Sequence, residues 1–123
     1  MRKTSEARLD RVLHELSEDG FEVLHNLDVG FARVSHCVVG PTGVFAIEPE
    51  GRAERARVVG EAHRIERLLH AAGLDETVRP VLAGSDSDDV AKVVRMPARR
   101  LHEETVDHIR VVLALYSRDR RSA

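Results

Sequence analysis

A chain of 123 residues with 42% hydrophobic and 33% charged side chains has the size and composition of one globular domain, which excludes disordered, collagen-like and low-complexity classes. Nineteen basic against 21 acidic residues leave a formal charge of −2, so the whole molecule does not attract nucleic acid and any such binding needs a local patch. A single cysteine, Cys37, excludes an internal disulfide and a thiolate metal cage and fits a reducing compartment.

The N-terminal MRKTSEARLDRVL lacks the apolar run of a secretory signal. No later segment approaches the roughly 20 apolar residues of a membrane span, so a cytoplasmic protein without membrane contact is expected. Leu9, Val12, Leu13 and Leu16 recur at i, i+3, i+4 and i+7, after the capping candidates Thr4 and Ser5 and before Gly20. That spacing predicts an amphipathic helix over 5–19. FEVLHNL and FARVSHCVV then read as two strands broken near Asp28–Gly30, and VFAIE follows across Gly40, Pro41, Thr42 and Gly43, a tight-hairpin signal.

Val58, Ala62, Ile65, Leu69 and Ala72 predict a second helix ending at Gly73, with Glu61, Arg64, Glu66 and Arg67 on its solvated face. VRPVLAG and VAKVVRM are strand candidates, although Pro80 suits only an edge or a strand start. GSDSDD between them lacks the downstream ligand pattern of a calcium loop and reads as a solvated turn. Val106, Ile109, Leu113 and Tyr116 mark a last helix with Glu103 and Glu104 in its first turn, and RDRRSA behind it reads as a frayed tail, 117–123 including Ser117. The predicted fold is α/β: one domain over 1–123, a mixed β-sheet flanked by helices in the order αβββαβ(β)α.

Residues 23–51 carry the most specific pattern. Val34, Ser35 and His36 precede the apolar run Cys37–Val39, then Gly40, Pro41, Thr42, Gly43, Val44 and Phe45, then Ala46, Ile47, Glu48, Pro49, Glu50 and Gly51. This punctuation resembles the nuclease-related domain, NERD, a bacterial relative of the restriction-endonuclease-like PD-(D/E)XK fold. The typical family string is Ile-Asp-His, an apolar run, Gly-Pro-x-Gly-Val-Phe, an apolar pair, then Glu-x-Lys and Gly. The first helix resembles the family's opening helix, with Ser5 and Glu6 where Gly-Glu is usual, and the helix holding Glu61 resembles the one that follows the hairpin.

The resemblance implies a metal-dependent phosphodiesterase in which a strand Asp and the Glu of Glu-x-Lys hold a divalent ion and the Lys assists the attacking water or developing charge. Here the Asp position is Ser35 and the Lys position is Glu50. A hydroxyl replaces a hard anionic ligand, and an anion replaces the cation that would face the phosphate. No cofactor is expected, Mg²⁺ only if catalysis survives, with Glu48 and Glu50 as the metal ligands if any. Glu6, Ser35, Glu48, Glu50 and Glu61 are then the positions of a vestigial catalytic site.

Residues two apart on a strand share a face, so alternation puts Glu48 and Glu50 together. Closing the four-residue loop with Val39 opposite Val44 sets Ser35 opposite Glu48 and Arg33 opposite Glu50. The Arg33 guanidinium would then offset the two carboxylates in place of an ion.

His36 falls on the face opposite Ser35, where a packed histidine bonded to the helix layer is expected. No two histidines lie at i, i+4 to form a helical zinc motif. Cys37, flanked by apolar residues, reads as an inert buried thiol. Arg52, Arg55 and Arg57 after the hairpin, and Arg95, Arg99 and Arg100 before the last helix, are the local nucleic-acid-binding candidates. With few aromatics beside them, duplex phosphate is a better target than stacked bases.

These residues predict a pseudo-nuclease that binds DNA or acts as a structural module. The alternatives are an active Mg-dependent DNA nuclease with rearranged carboxylates, and a protein–protein interaction module that forms a homo-oligomer through a sheet edge.

Overall fold

In the computed structural model the described residues are 2–30, 32–51, 54–84, 88–98 and 100–117, with backbone alone for 2–6 and 88. The elements in chain order are α1 (Arg2–Glu18), β1 (Glu22–Asp28), β2 (Arg33–Gly40), β3 (Gly43–Pro49), α2 (Arg55–Ala71), β4 (Val78–Ala83), α3 (Asp88–Arg95) and α4 (Glu103–Ala114). The four strands form one mixed sheet in sequence order, β1, β2 and β3 antiparallel and β4 parallel to β3. Pro80 is accommodated because β4 is an edge strand.

Alternation along β3 divides the core into two layers. Val44 and Ala46 pack with Ala62, Ile65 and Leu69 of α2 and Ile109 and Leu113 of α4. Phe45 and Ile47 pack with Leu9, Val12, Leu13 and Leu16 of α1 and Val90 and Val94 of α3. Every residue from Gly43 to Glu48 is therefore buried, the signature of a strand covered on both faces.

Two predicted elements differ. α1 begins at Arg2, so Thr4 and Ser5 lie inside the helix rather than capping it. VAKVVRM, predicted as a strand, forms most of α3. Val90 and Val94, four apart, are both buried against α1, whereas Lys92 between them is exposed. So short a valine run fits either period, and the partner surface selects the helix. Of the predicted tail, Ser117 pairs with Leu27 of β1, and 118–123 lie outside the described residues. Within GSDSDD, 85–87 lie outside them too.

The hairpin turn also fastens the helices. Thr42 Oγ1 donates to the carbonyl of Val94 in the last turn of α3, and Leu101 N–H ahead of α4 donates to Pro41 O at 2.7 Å, so a carbonyl that helix geometry leaves unmet and a loop amide are both satisfied. Gly40 is required for a different reason: a Cβ there would lie 2.2 Å from the Phe21 ring, itself buried in the α1–α3 layer. Gly40→Ala is expected to destabilise the protein by about 2 kcal/mol through overpacking, measured as a lowered urea midpoint at unchanged slope.

Candidate functional site

The β2–β3 register follows the predicted pairing, from Gly40↔Gly43 to His36↔Ile47, which carries Ser35 to the level of Glu48. There the ladder gives way to a side chain. Ser35 N–H donates to Glu48 Oε2 at 2.7 Å, and Ser35 Oγ–H donates to Glu48 Oε1 at 2.6 Å. A carboxylate holding a backbone amide and a hydroxyl in this two-point fashion is a charge-assisted pair, stronger than neutral hydrogen bonds.

The local irregularity that frees Ser35 lies on the neighbouring strand. β1 pairs with β2 through His25↔His36 and again through Leu27↔Val34, and Asn26 between them has φ +53°. Asn tolerates this left-handed conformation better than most residues. Strict alternation fails at this level: Val34 and Cys37, three apart, both lie in the α2–α4 layer.

Glu48 follows Ala46 onto the α2 side of β3 and is only 1% exposed. α2 brings Glu61 to it, also 1% exposed, because Glu61 adjoins the buried stripe of Val58, Ala62, Ile65 and Leu69 rather than the solvated face the charge pattern predicted. Burial first, then hydrogen bonding to Glu48 and the charge of Glu48, push the Glu61 carboxyl from its ordinary 4.5 up to about 8. Arg57, one turn earlier, opposes the rise, its Nε donating to Glu61 Oε2 at 3.2 Å.

Glu61 Oε1 has no protein donor. A carboxylic proton resolves this: the protonated Glu61 has an O–H to donate to Glu48, so a shared proton is consistent with both the raised pKa and the missing donor.

The other predicted site residues are not gathered here. β3 ends at Pro49, and Glu50 lies exposed in the following turn, its N–H bonded to Ala83 O at 2.8 Å. Its Oε2 lies 2.9 Å from where a Cβ of Gly84 would stand. Alternation therefore stops one residue too early for Glu48 and Glu50 to share a face. The predicted Arg33–Glu50 pair does not form either: Arg33 is the cross-strand partner of Asp28, and the guanidinium at the carboxyl pair is that of Arg57. Glu6 is in α1, with its side chain outside the described residues.

Arg52 and Arg99 also fall outside the described residues. Arg55 and Arg57 begin α2, beyond the Pro49 end of β3, whereas Arg95 and Arg100 flank the segments tied to the hairpin at its Gly43 end. A seven-residue strand spans about 20 Å, so the two arginine patches stay apart. Arg95 is moreover ion-paired to Asp19.

Cys37 is fully buried, and desolvation pushes its thiol up to about 12. His36 is half-buried, with Nδ1 3.0 Å from Nδ1 of His25 across the strand pair and the rings edge to face. One ring donates and the other accepts. Among the described residues no group of three or more His, Cys, Asp and Glu side chains is placed to hold a metal ion, and no helix is long and apolar enough to cross a membrane.

Among protein families, the model described as Nuclease-related domain matches residues 2–68, more than half of the chain and all of the elements from α1 to β3 with most of α2. No curated protein and no solved structure matches.

Proposed function

The chain belongs to the nuclease-related domain family, and on that premise we propose that its phosphodiesterase centre is degenerate, leaving a module that binds duplex nucleic acid or serves a structural role. The observation that carries this reading is the engagement of both Glu48 oxygens by Ser35. A divalent ion of the Mg²⁺ type relies on carboxylate oxygens for its few direct protein contacts. Here one carboxylate is occupied, the second is protonated near neutral pH, and a guanidinium adjoins it.

In this reading the residues do not fit a metal. Glu50, in the Lys position, lies exposed in the turn after β3, so that position supplies no cation to face a phosphodiester. DNA contact, where it occurs, is made by exposed arginines such as Arg55 and Arg100 to backbone phosphate.

Supercoiled plasmid incubated with the protein and Mg²⁺ or Mn²⁺ is expected to remain intact, and labelled duplex to bind with an affinity that falls steeply with salt. One observation favours the second reading, a surviving nuclease: Glu48 and Glu61 are both buried and act on one another. Nicking that Glu48→Ala abolishes would establish that reading and overturn ours. Salt-insensitive association with another protein, without duplex binding, would instead favour an interaction module.

A further inference from the structure

We propose that Arg57 is the resident cation of the Glu48–Glu61 pair, a positioning residue that latches α2 onto the β2–β3 hairpin where a metal-dependent carboxylate centre would use an ion. The inference rests on the degenerate-site reading and extends it to the question of what neutralises the carboxyls. Four observations support it.

Both carboxyls are 1% exposed, on different elements, and two buried acids held together need positive charge between or beside them. Ser35 donates to both Glu48 oxygens, whereas Glu61 Oε1 has no protein donor, so negative charge on the pair is left for a cation to meet. The remaining negative charge faces the Arg57 Nε, which reaches Glu61 Oε2 at 3.2 Å. Finally, the Arg57 side chain is 55% exposed where Glu61 is 1% exposed, so the cation joins a buried acid to the solvent side of α2.

Ordinary helix stabilisation does not account for the contact. An i, i+4 pair with the cation N-terminal to the anion is the weaker order on a helix, and surface pairs of that kind leave both partners in water. Here the acid is inside. Ser35 bonded to Glu48 and Arg57 bonded to Glu61 therefore bring β2, β3 and α2 together at two buried carboxyls that act on one another, with a non-titrating charge beside them.

The test is a double-mutant cycle in EDTA at pH 9, above the range in which Glu61 holds its proton, so that Glu61→Gln removes a charge, comparing wild type, Arg57→Gln, Glu61→Gln and the double variant by urea denaturation. Gln at 61 can donate its amide N–H to Glu48 as the protonated acid does, so this background is expected to fold. Arg57→Gln should raise the unfolding constant about fivefold in the wild-type background and change it by less than about twofold when residue 61 is Gln. Equal changes in both backgrounds would reduce Arg57 to a packing contact and overturn the proposal.

In a parallel titration, Mn²⁺ should leave the wild-type unfolding midpoint unchanged. A rise that Glu61→Gln abolishes would mean that an ion displaces the guanidinium, and would also overturn it. The cycle is metal-free, so its outcome is separable from plasmid nicking: a coupled pair in a protein that nicks DNA sinks the proposed function alone, and an uncoupled pair in one that does not nick sinks the latch alone.

Discussion

Glu48→Ala is expected to destabilise the fold by about 3 kcal/mol, as broken buried networks do. The direction distinguishes this site from a working carboxylate centre. Where two acids are held together for chemistry, deleting one relieves like-charge repulsion and the protein commonly gains stability at the expense of activity. Glu48 instead accepts two hydrogen bonds from Ser35 and lies beside the raised acid of Glu61. Its removal leaves the Ser35 amide at a break in the strand ladder, a second acid in an apolar wall, and a void beneath α2. Urea unfolding followed by circular dichroism measures the change, and a neutral or stabilising result would show that the Ser35–Glu48 contacts contribute nothing.

The second large effect is a dependence of stability on pH. The unfolded chain releases the Glu61 proton near the ordinary value of 4.5, and the folded chain retains it to about 8. Between those values the folded state binds more protons, so stability falls as pH rises, by up to about 1.4 kcal/mol per pH unit from this group. The contribution is fully present below the unfolded value and is lost by the time the folded carboxyl has ionised. Glu61→Gln cannot ionise and mimics the protonated acid, so its profile should lie flat relative to wild type across pH 5–8 and the variant should be the more stable protein at pH 8. Urea midpoints at four pH values decide this: parallel curves for the two proteins would mean that Glu61 titrates like an exposed carboxyl.

Much of the geometry was legible from residue pattern alone. The Gly40–Gly43 turn fixed the hairpin register, and that register placed Ser35 and Glu48 at one level before any contact was known. Extending the same alternation to Glu50 failed because period-2 logic holds only while the chain is a strand, and β3 ends at Pro49. Arg33 was assigned the charge-balancing role on that extension. The residue at the acid pair is Arg57, whose approach depends on how α2 folds back over the sheet, a relation that no spacing along the chain encodes. By charge pattern Glu61 belonged to the solvated face of a mixed-charge helix and by family resemblance to the site, and the packing of α2 turns it inward. Its sequence signals were the resemblance of its helix to the one that follows the family's hairpin, which placed it among the site positions, and adjacency to the apolar stripe through Ala62 and Ile65.

By itself, then, the order of residues determined the αβββαβ core, the hairpin, the family likeness and the substitutions at Ser35 and Glu50, because turn chemistry, periodicity and motif identity are local properties. Tertiary structure decided that residues 88–95 are a helix, that Glu48 is sealed from solvent, and that Glu61 and Arg57 rather than Glu50 and Arg33 complete the site. Those outcomes depend on which surfaces meet. Burial and the electrostatics it amplifies arise between segments distant in the chain, where the low dielectric of a packed interior raises the Glu61 pKa and makes a proton at that pair a structural component.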